Sequence, residues 1–202
     1  MSLTRVHNFS ISLDGFGTGE PQTLETPFGH AGERLHEWMF VDSTGVDGLF
    51  ARQYETGIGA EIMGANKFGP PGWHEDPEWK GWWGDNPPYH HPAFVLTHHE
   101  REPIEMEGGT TFYFRAATPA EVLEEARAAA DGQDVLIGGG ATVVRDFLLA
   151  DLIDHMHVAV VPIVLGRGVR LWDGLEELES TFDIESVASP SGVTHLTFSR
   201  KG

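Results

Sequence analysis

The segment from Val135 to Phe147 constrains this chain most, and it reads V-L-I-G-G-G-A-T-V-V-R-D-F. A short apolar run leads into three consecutive glycines, and apolar residues at helical spacing follow directly. Glycine lets a ligand approach the backbone, and the first turn of a helix offers unpaired N–H groups and a positive dipole end. The junction therefore predicts a strand, a phosphate-binding turn and a helix, although neither standard nucleotide motif is matched. A tight turn without a ligand is the alternative.

Composition narrows the choice of partners. The chain has 202 residues with 13 Lys+Arg against 31 Asp+Glu, so its formal net charge is −18. Nucleic acids and anionic membrane surfaces bind clustered basic residues, so neither is expected as a partner. The chain has no cysteine, which excludes thiolate nucleophiles and zinc–thiolate sites. Residues 1–12 contain no long apolar run, so we expect no signal peptide and a cytoplasmic protein.

Strand and helix signals recur along the chain. Apolar, β-branched and aromatic runs predict strands at residues 6–13, 60–63, 93–97, 110–115, 135–137, 155–163, 182–187 and 193–199. A short helix is predicted over residues 47–56, a second begins at the capping box T-P-A-E of residues 118–121, and a third follows the glycines. Strands alternate with helices early and follow one another at the end. We therefore predict one α/β domain over residues 1–202, with an antiparallel C-terminal sheet edge.

The segment of residues 70–92 interrupts this pattern. It is rich in proline and glycine and holds Trp73, Trp79, Trp82 and Trp83, four of the six tryptophans. Such a composition disfavours a regular helix and predicts a long ordered loop. Its aromatic side chains either form a lid or subunit contact, or fold back as a satellite core. The sequence leaves both open.

A second glycine, Gly64, ends the predicted strand at residues 60–63. Asn66 and Lys67 follow it, at the carboxyl edge where ligands bind in open α/β sheets. Lys67 is one of only 13 basic residues, so its position beside the predicted ligand crevice makes it a candidate site residue.

The 11 histidines suggest a weaker possibility. His155 and His157 are alternate residues of one predicted strand, so they share a face and could bind a metal. No H-E-x-x-H spacing occurs, and no G-x-S-x-G motif marks a nucleophilic serine. We therefore expect surface or loop histidines and no metal site.

Asp14 ends the first predicted strand in the motif S-L-D-G. A carboxylate at a strand end can bind a substrate or relay a proton. An aspartate before a glycine is equally a turn residue, and the sequence leaves both roles open.

Five motifs occur in a familiar order, namely S-L-D-G (12–15), M-G-A-N-K-F (63–68), V-L-T-H (95–98), I-G-G-G-A (137–141) and V-P-I-V-L-G-R-G (161–168). Together they resemble the dihydrofolate reductase-like superfamily, and most closely the reductase domain of the bifunctional riboflavin-biosynthesis deaminase/reductases. The resemblance covers the chain outside residues 70–92. It implies a three-layer fold with a mostly parallel sheet of about eight strands, helices on both faces, and NADPH across the carboxyl edge.

The resemblance also implies site residues. The cofactor contacts would be Gly64, Asn66, Lys67, Thr97, His98, Gly138, Gly139, Gly140, Ala141 and Thr142. Ser12 and Asp14 would flank the nicotinamide, with Asp14 as the candidate catalytic proton source. Arg145 and Arg167 are the basic residues available to bind a ribosyl phosphate on the substrate.

The chain departs from the family pattern at two points. Ala65 replaces the arginine of the M-G-R-x-T segment and no threonine follows, so the 2′-phosphate would fall to Lys67, His98, His99 or Arg101, and NADH is the alternative cofactor. The carboxylate with which dihydrofolate reductases bind the pterin has no clear counterpart. The nearest candidates are Asp47 and Glu55.

The expected activity is therefore NADPH-dependent reduction of a small heterocyclic or ribose-bearing substrate. A nucleotide- or sugar-binding module without turnover is the alternative that Ala65 favours, and a metal-dependent hydrolase built on the histidine pairs is a third. The zinc motif of the deaminase half is missing from the sequence. The β-rich segments after Leu165 favour a homodimer, which this branch often forms.

Overall fold

A computed structural model describes residues 2–41, 44–54 and 56–202, so the candidate Glu55 lies outside the described residues. The strands in chain order are β1 (Thr4–Ser12), β2 (Phe16–Thr18), β3 (Ile58–Gly64), β4 (Pro92–Leu96), β5 (Ile104–Glu105), β6 (Thr111–Arg115), β7 (Asp134–Gly139), β8 (His155–Val161), β9 (Val169–Arg170), β10 (Phe182–Ala188) and β11 (Thr194–Arg200). The α-helices are α1 (Trp38–Val41), α2 (Val46–Ala51), α3 (Ala65–Phe68), α4 (Pro119–Ala129), α5 (Ala141–Leu149) and α6 (Leu178–Thr181). A 3-10 helix over Gly29–Leu35 precedes α1.

Nine strands form one sheet in the order β10-β11-β8-β1-β7-β3-β4-β6-β5. Neighbours from β8 to β6 run parallel, whereas β11 and β10 at one edge and β5 at the other are antiparallel. The predicted α/β class with a mostly parallel sheet and an antiparallel C-terminal edge is confirmed, with nine strands where about eight were expected. The short strands β2 and β9, which form a second sheet, were not predicted from the sequence.

Both faces of the sheet are covered, because the central strands are apolar on both sides. Every residue of β3 is buried. Ile62 packs with Val122 of α4 and Phe147 of α5 in the largest core cluster, whereas its neighbour Met63 belongs to a cluster on the other face. A third cluster joins Trp38 of α1 to Ala159 and Val161 of β8. The layers of the predicted architecture are therefore present.

Local signals placed the longer helices correctly. The predicted capping box at α4 is present, since the Thr118 hydroxyl accepts from the Glu121 N–H and the Glu121 carboxylate accepts from the Thr118 N–H. Helix α5 begins directly after the three glycines, as predicted. Helix α2 ends at Ala51, earlier than the predicted residue 56.

The tryptophan-rich loop folds its aromatic side chains onto the sheet. Trp73 packs against Phe68 and Phe114, and Trp83 lies beside Tyr89 and Phe112. The satellite core, one of the two alternatives for this loop, is what the structure shows. Among the described residues no helix has the length and apolarity that a membrane span requires.

Candidate functional site

One large cleft, with a volume of about 1090 Å³, runs over the carboxyl edge of the sheet and down one of its faces. We call one part the glycine half and define it by Gly64, Asn66, Thr97, His98, Gly140 and Thr142. We call the other part the aromatic half and define it by His7, Phe28, His36, Met39, Trp83 and Tyr89. Clefts of this size at the carboxyl ends of parallel strands are common ligand sites.

The predicted cofactor residues come together in this cleft. All of them line it except Gly139, namely Gly64, Asn66, Lys67, Thr97, His98, Gly138, Gly140, Ala141 and Thr142. They arrive from the ends of three neighbouring strands, β4, β3 and β7, and from the first turns of α3 and α5. Their meeting at one edge follows from the parallel order of these strands.

The turn between β7 and α5 is open towards the cleft. Gly140 is the N-cap of α5 and provides no side-chain cap for the first N–H groups of the helix. A Cβ added at Gly140 would meet no atom within 4 Å, whereas one at Gly139, where φ is +102°, would lie 2.9 Å from Phe9. Of these two glycines, Gly140 therefore has an accessible backbone with room for a ligand beside it. Gly139 must be glycine because of its positive φ and its closeness to Phe9.

A side chain at Gly138 is excluded for a different reason, namely the position of Glu61. The buried Glu61 carboxylate forms an ion pair with Lys67 Nζ directly over it, and a Cβ at Gly138 would overlap Glu61 Oε1. Lys67 Nζ also donates to the Tyr54 hydroxyl at 3.2 Å. Burial lowers the pKa of Lys67, but the Glu61 carboxylate, with Tyr54 and Tyr89 beside it, outweighs burial and holds this pKa well above its ordinary value.

Lys67 was predicted to bind a cofactor phosphate, and the structure gives its charge another partner. Glu61 lies fully buried on β3 and neutralises the ammonium group. Lys67 lines the cleft where the two halves meet, since Gly138 and Tyr89 both lie beside it. Its neutralised charge suits it to a role at this junction more than to a phosphate.

The other predicted 2′-phosphate ligands divide into two groups. His98 and His99 line the cleft, with His99 stacked on His74 at 3.5 Å between ring centroids. Arg101 does not line it, because its guanidinium donates to the Trp79 carbonyl and lies 4.7 Å from the centre of the Phe114 ring.

Asp14 does not line the cleft, and its carboxylate is used in hydrogen bonds within the protein. Its carboxylate accepts from the Ser12 hydroxyl at 2.6 Å and from the N–H groups of Leu165 and Gly166 at 3.0 and 2.7 Å. Desolvation raises the pKa of Asp14, but these three hydrogen bonds outweigh it and lower the pKa to about 2. Asp14 is therefore ionised at neutral pH and has no proton to give, which argues against the predicted catalytic role.

The predicted substrate residues do not gather at the cleft either. The Ser12 hydroxyl donates to Asp14 and accepts from the Phe16 N–H. Arg145 donates to the Arg170 carbonyl at 3.2 Å, and the side chain of Arg167 is exposed. None of the three lines the cleft. The structure thus offers no support for a ribosyl phosphate held by Arg145 and Arg167.

Sequence reasoning missed the aromatic half. His7, in the first strand, and His36, after the 3-10 helix, line it, and each has a buried Nδ1 atom with no hydrogen-bond partner among the described residues. The alternation of β1 could have placed His7 on the face opposite Val6. No local signal shows that residues 28–39 fold back over that face.

The prediction that the histidines lie on the surface or in loops is wrong for His157 and His195, which form a buried network beside β1. The Asn8 N–H donates to His157 Nδ1, His157 Nε2 lies 3.0 Å from His195 Nδ1, and His195 Nε2 lies 2.7 Å from Asp47 Oδ1. Phe50 stacks on both imidazoles. Asp47, one of the two candidates for a pterin-binding carboxylate, is therefore hydrogen-bonded to His195. The described residues contain no group of three or more His, Asp or Glu side chains placed to hold a metal ion.

The sheet and the cleft over its carboxyl edge define a protein of the dihydrofolate reductase-like fold. The model of the RibD C-terminal domain matches residues 6–195, so the chain belongs to that family.

Comparisons with individual proteins agree with this assignment. A putative riboflavin biosynthesis protein from Shewanella sp. PV-4 superposes with a TM-score of 0.65 at 25% identity, over 99% of both chains. Dihydrofolate reductase from Enterococcus faecalis, solved with NADP(H), shares the fold with a TM-score of 0.52 at 15% identity, over 100% of this chain and 97% of that chain. The uncharacterized protein YwjB of Bacillus subtilis is 43% identical over 44 residues, which span 22% of this chain and a quarter of that protein.

Proposed function

We propose that this protein is a reductase that transfers a hydride from NADPH to a small ring-containing substrate. The observation that carries the proposal is the single cleft that joins an open glycine turn at the carboxyl edge to an aromatic pocket on the face of the sheet. Its family and its likeness to a dihydrofolate reductase solved with NADP(H) support the same conclusion. The bound dihydronicotinamide would supply the hydride, and the chain would supply orientation and electrostatics.

The residues of the glycine half fit a dinucleotide. Gly140 leaves room for a pyrophosphate against the backbone, and the uncapped first turn of α5 provides N–H donors beside Thr142. Basic side chains for a 2′-phosphate are few, since Arg115 lines the cleft but is paired with Glu125 at 2.8 Å. His98 and His99 are the remaining candidates, and NADH stays the alternative cofactor.

Proton delivery falls to Tyr54 and Lys67, at the junction of the two halves. Both side chains line the cleft, and Lys67 Nζ donates to the Tyr54 hydroxyl. A hydrogen bond donated to the phenol oxygen is stronger when that oxygen is charged, so the Lys67 N–H stabilises the phenolate that remains when the proton leaves. Tyr54 would therefore protonate the substrate oxygen or nitrogen as the hydride arrives.

The first experiment is a titration with NADPH and, separately, NADH, followed by tryptophan emission. We expect saturable binding that Gly140→Ala abolishes, because the added methyl group occupies the space for the pyrophosphate without meeting the protein. Leu149→Ala, on the exposed surface of the same helix, is the matched control and should bind normally. A chain that binds neither dinucleotide would exclude the reductase.

The alternative binding module makes a different prediction for turnover. It would bind the dinucleotide with the same dependence on Gly140, yet oxidise none in a screen of ring carbonyl and imine substrates. Steady NADPH oxidation with any of these substrates would exclude it.

The homodimer stays a prediction. The edge strand β10 supports it, because every residue after Phe182 is exposed and Ile184 and Val187 present apolar side chains. Light scattering of Ile184→Lys against the unchanged chain would test it.

A further inference from the structure

We infer that the aromatic half of the cleft binds a flat, uncharged ring compound and discriminates against substrates that carry a phosphate group. The inference rests on the proposed function only in assigning the glycine half to the dinucleotide. It differs from the ribosyl phosphate that the sequence led us to expect. Three properties of the cleft carry it.

The walls of the aromatic half are flat and firmly held. Trp83 and Tyr89 pack edge to face, with ring centroids 5.0 Å apart, and Trp83 also lies 6.0 Å from Phe112. Met39 and Phe28 line the cleft as well. Aromatic faces fixed in this way pack well against a planar ring and offer little to a flexible sugar phosphate.

Each permanently charged cation that lines the described part of the cleft has an anionic partner. Among the described residues that line it, the permanently charged cations are Lys67 and Arg115. Lys67 pairs with the fully buried carboxylate of Glu61, and Arg115 pairs with Glu125 at 2.8 Å. A phosphate that entered the aromatic half would lose its hydration without gaining a counter-charge, which is strongly unfavourable.

The polar groups of the aromatic half are uncharged. Burial, with Arg5 and His155 nearby, lowers the pKa of His7 to about 3, and burial next to Lys67 lowers the pKa of His36 to about 4. Both imidazoles are therefore neutral at pH 7. The Nδ1 atom of each is buried and has no partner among the described residues, and His7 is only 5% exposed. Both rings line the cleft, and a neutral imidazole can hydrogen-bond a ring N–H or C=O without attracting an anion.

Riboflavin and riboflavin 5′-phosphate test this directly, because they share a flat uncharged ring system and differ by one phosphate. Each is titrated into the full chain with NADP⁺ at saturating concentration, and flavin fluorescence is followed. We expect riboflavin to bind at least about tenfold more tightly, which corresponds to about 1.4 kcal/mol. Trp83→Leu should weaken riboflavin binding and leave the Kd for NADPH unchanged.

A cation introduced beside the aromatic half should largely remove the discrimination. Met39→Arg is expected to bring the two flavin affinities to within about twofold, whereas the neutral control Met39→Gln should keep the wild-type ratio. Gln22→Arg, at a half-buried position that also lines the cleft, repeats the test if Met39→Arg does not fold. Circular dichroism melting of each variant establishes folding.

Two results would overturn the inference. One is binding of the 5′-phosphate as tightly as riboflavin, and the other is a wild-type chain that binds neither flavin. NADPH binding is measured on the same samples without flavin. Its loss would remove the proposed reductase, while the flavin ratio would still report on the aromatic half.

Discussion

His195 Nε2 donates to Asp47 Oδ1 across 2.7 Å, and this contact ties the last strand of the sheet to helix α2 through the protein interior. Asp47, when ionised, can only accept, so the proton of His195 lies on Nε2. His157 Nδ1 lies within hydrogen-bond distance of both the Asn8 N–H, at 3.2 Å, and Asn8 Oδ1, at 3.0 Å, and its Nε2 lies 3.0 Å from His195 Nδ1. The network therefore connects Asn8, which lines the cleft, through His157 and His195 to Asp47.

Asp47→Asn should weaken this network in a pH-dependent way. Burial raises the pKa of Asp47, but hydrogen bonds from His195, Ser191 and Ser189 outweigh it and lower the pKa below 3.8. A carboxyl group with a lowered pKa stabilises the fold above the unfolded pKa and loses this contribution as the pH falls through the folded value. We expect the variant to lose about 2 kcal/mol of unfolding free energy at pH 7.

Urea unfolding at pH 7 and pH 3 measures this loss, with the exposed Asp183→Asn as control. The difference between wild type and Asp47→Asn should shrink at pH 3. A difference of equal size at both pH values would contradict the role given to the carboxylate.

The buried His157 should impose a steep pH dependence on stability. Burial, with His7, His195 and His155 nearby, lowers the pKa of His157 from 6.5 to about 2. The unfolded chain therefore binds a proton between pH 6.5 and 2 that the folded chain does not, so stability rises with pH across this window. One such histidine contributes a slope of about 1.4 kcal/mol per pH unit.

Unfolding free energies of wild type and His157→Gln, measured between pH 6 and pH 4, give the two slopes. The variant should be less stable but have the shallower slope, while His90→Gln on the surface should leave the slope unchanged. Parallel slopes for wild type and His157→Gln would show that His157 is protonated in the folded state.

Gly138 and Gly140 lie two residues apart and should respond to alanine in opposite ways. At Gly138 the methyl group overlaps Glu61 Oε1 and comes 2.5 Å from Lys67 Nζ, so we expect a loss of about 2 kcal/mol in unfolding free energy. At Gly140 the methyl group meets nothing, so stability should change little while dinucleotide binding is lost. Thermal unfolding and NADPH titration of both variants separate the two effects. Equal stability losses would refute the distinction.

The sequence predicted the parts of the fold that depend on local pattern. The apolar run into Gly138, the helical spacing after Gly140 and the T-P-A-E box are each complete within a dozen residues, and β7, α5 and α4 lie where those patterns placed them. The carboxyl-edge position of Gly64, Asn66 and Thr97 followed from the parallel order of the strands.

The parts that were missed depend on residues far apart in the chain. Asp14 resembles a strand-end carboxylate until Leu165 and Gly166 donate to it from more than 150 residues away. The contact between His157 and His195 likewise joins residues 38 positions apart. The roles of such polar residues are set by their partners, which local patterns do not show.

Tyr54→Phe should slow the chemical step without weakening ligand binding. The change removes the hydroxyl that accepts from Lys67 Nζ and keeps the ring in the wall of the cleft. General acid catalysis by a positioned side chain contributes about 100-fold or more. We expect kcat to fall by this amount while KM and the Kd for NADPH stay within about twofold, because an interaction made only in the transition state affects kcat alone.

Asp14→Asn is the matched control, since Asp14 was the proton source expected from the sequence. It should lower the melting temperature, because the amide cannot accept from Ser12, Leu165 and Gly166 as the carboxylate does, but kcat should be retained in the folded variant. The solvent deuterium isotope effect on kcat should accordingly persist in Asp14→Asn. A large fall in kcat for Asp14→Asn together with full activity of Tyr54→Phe would return the proton transfer to Asp14 and leave Lys67 and Glu61 as a purely structural pair.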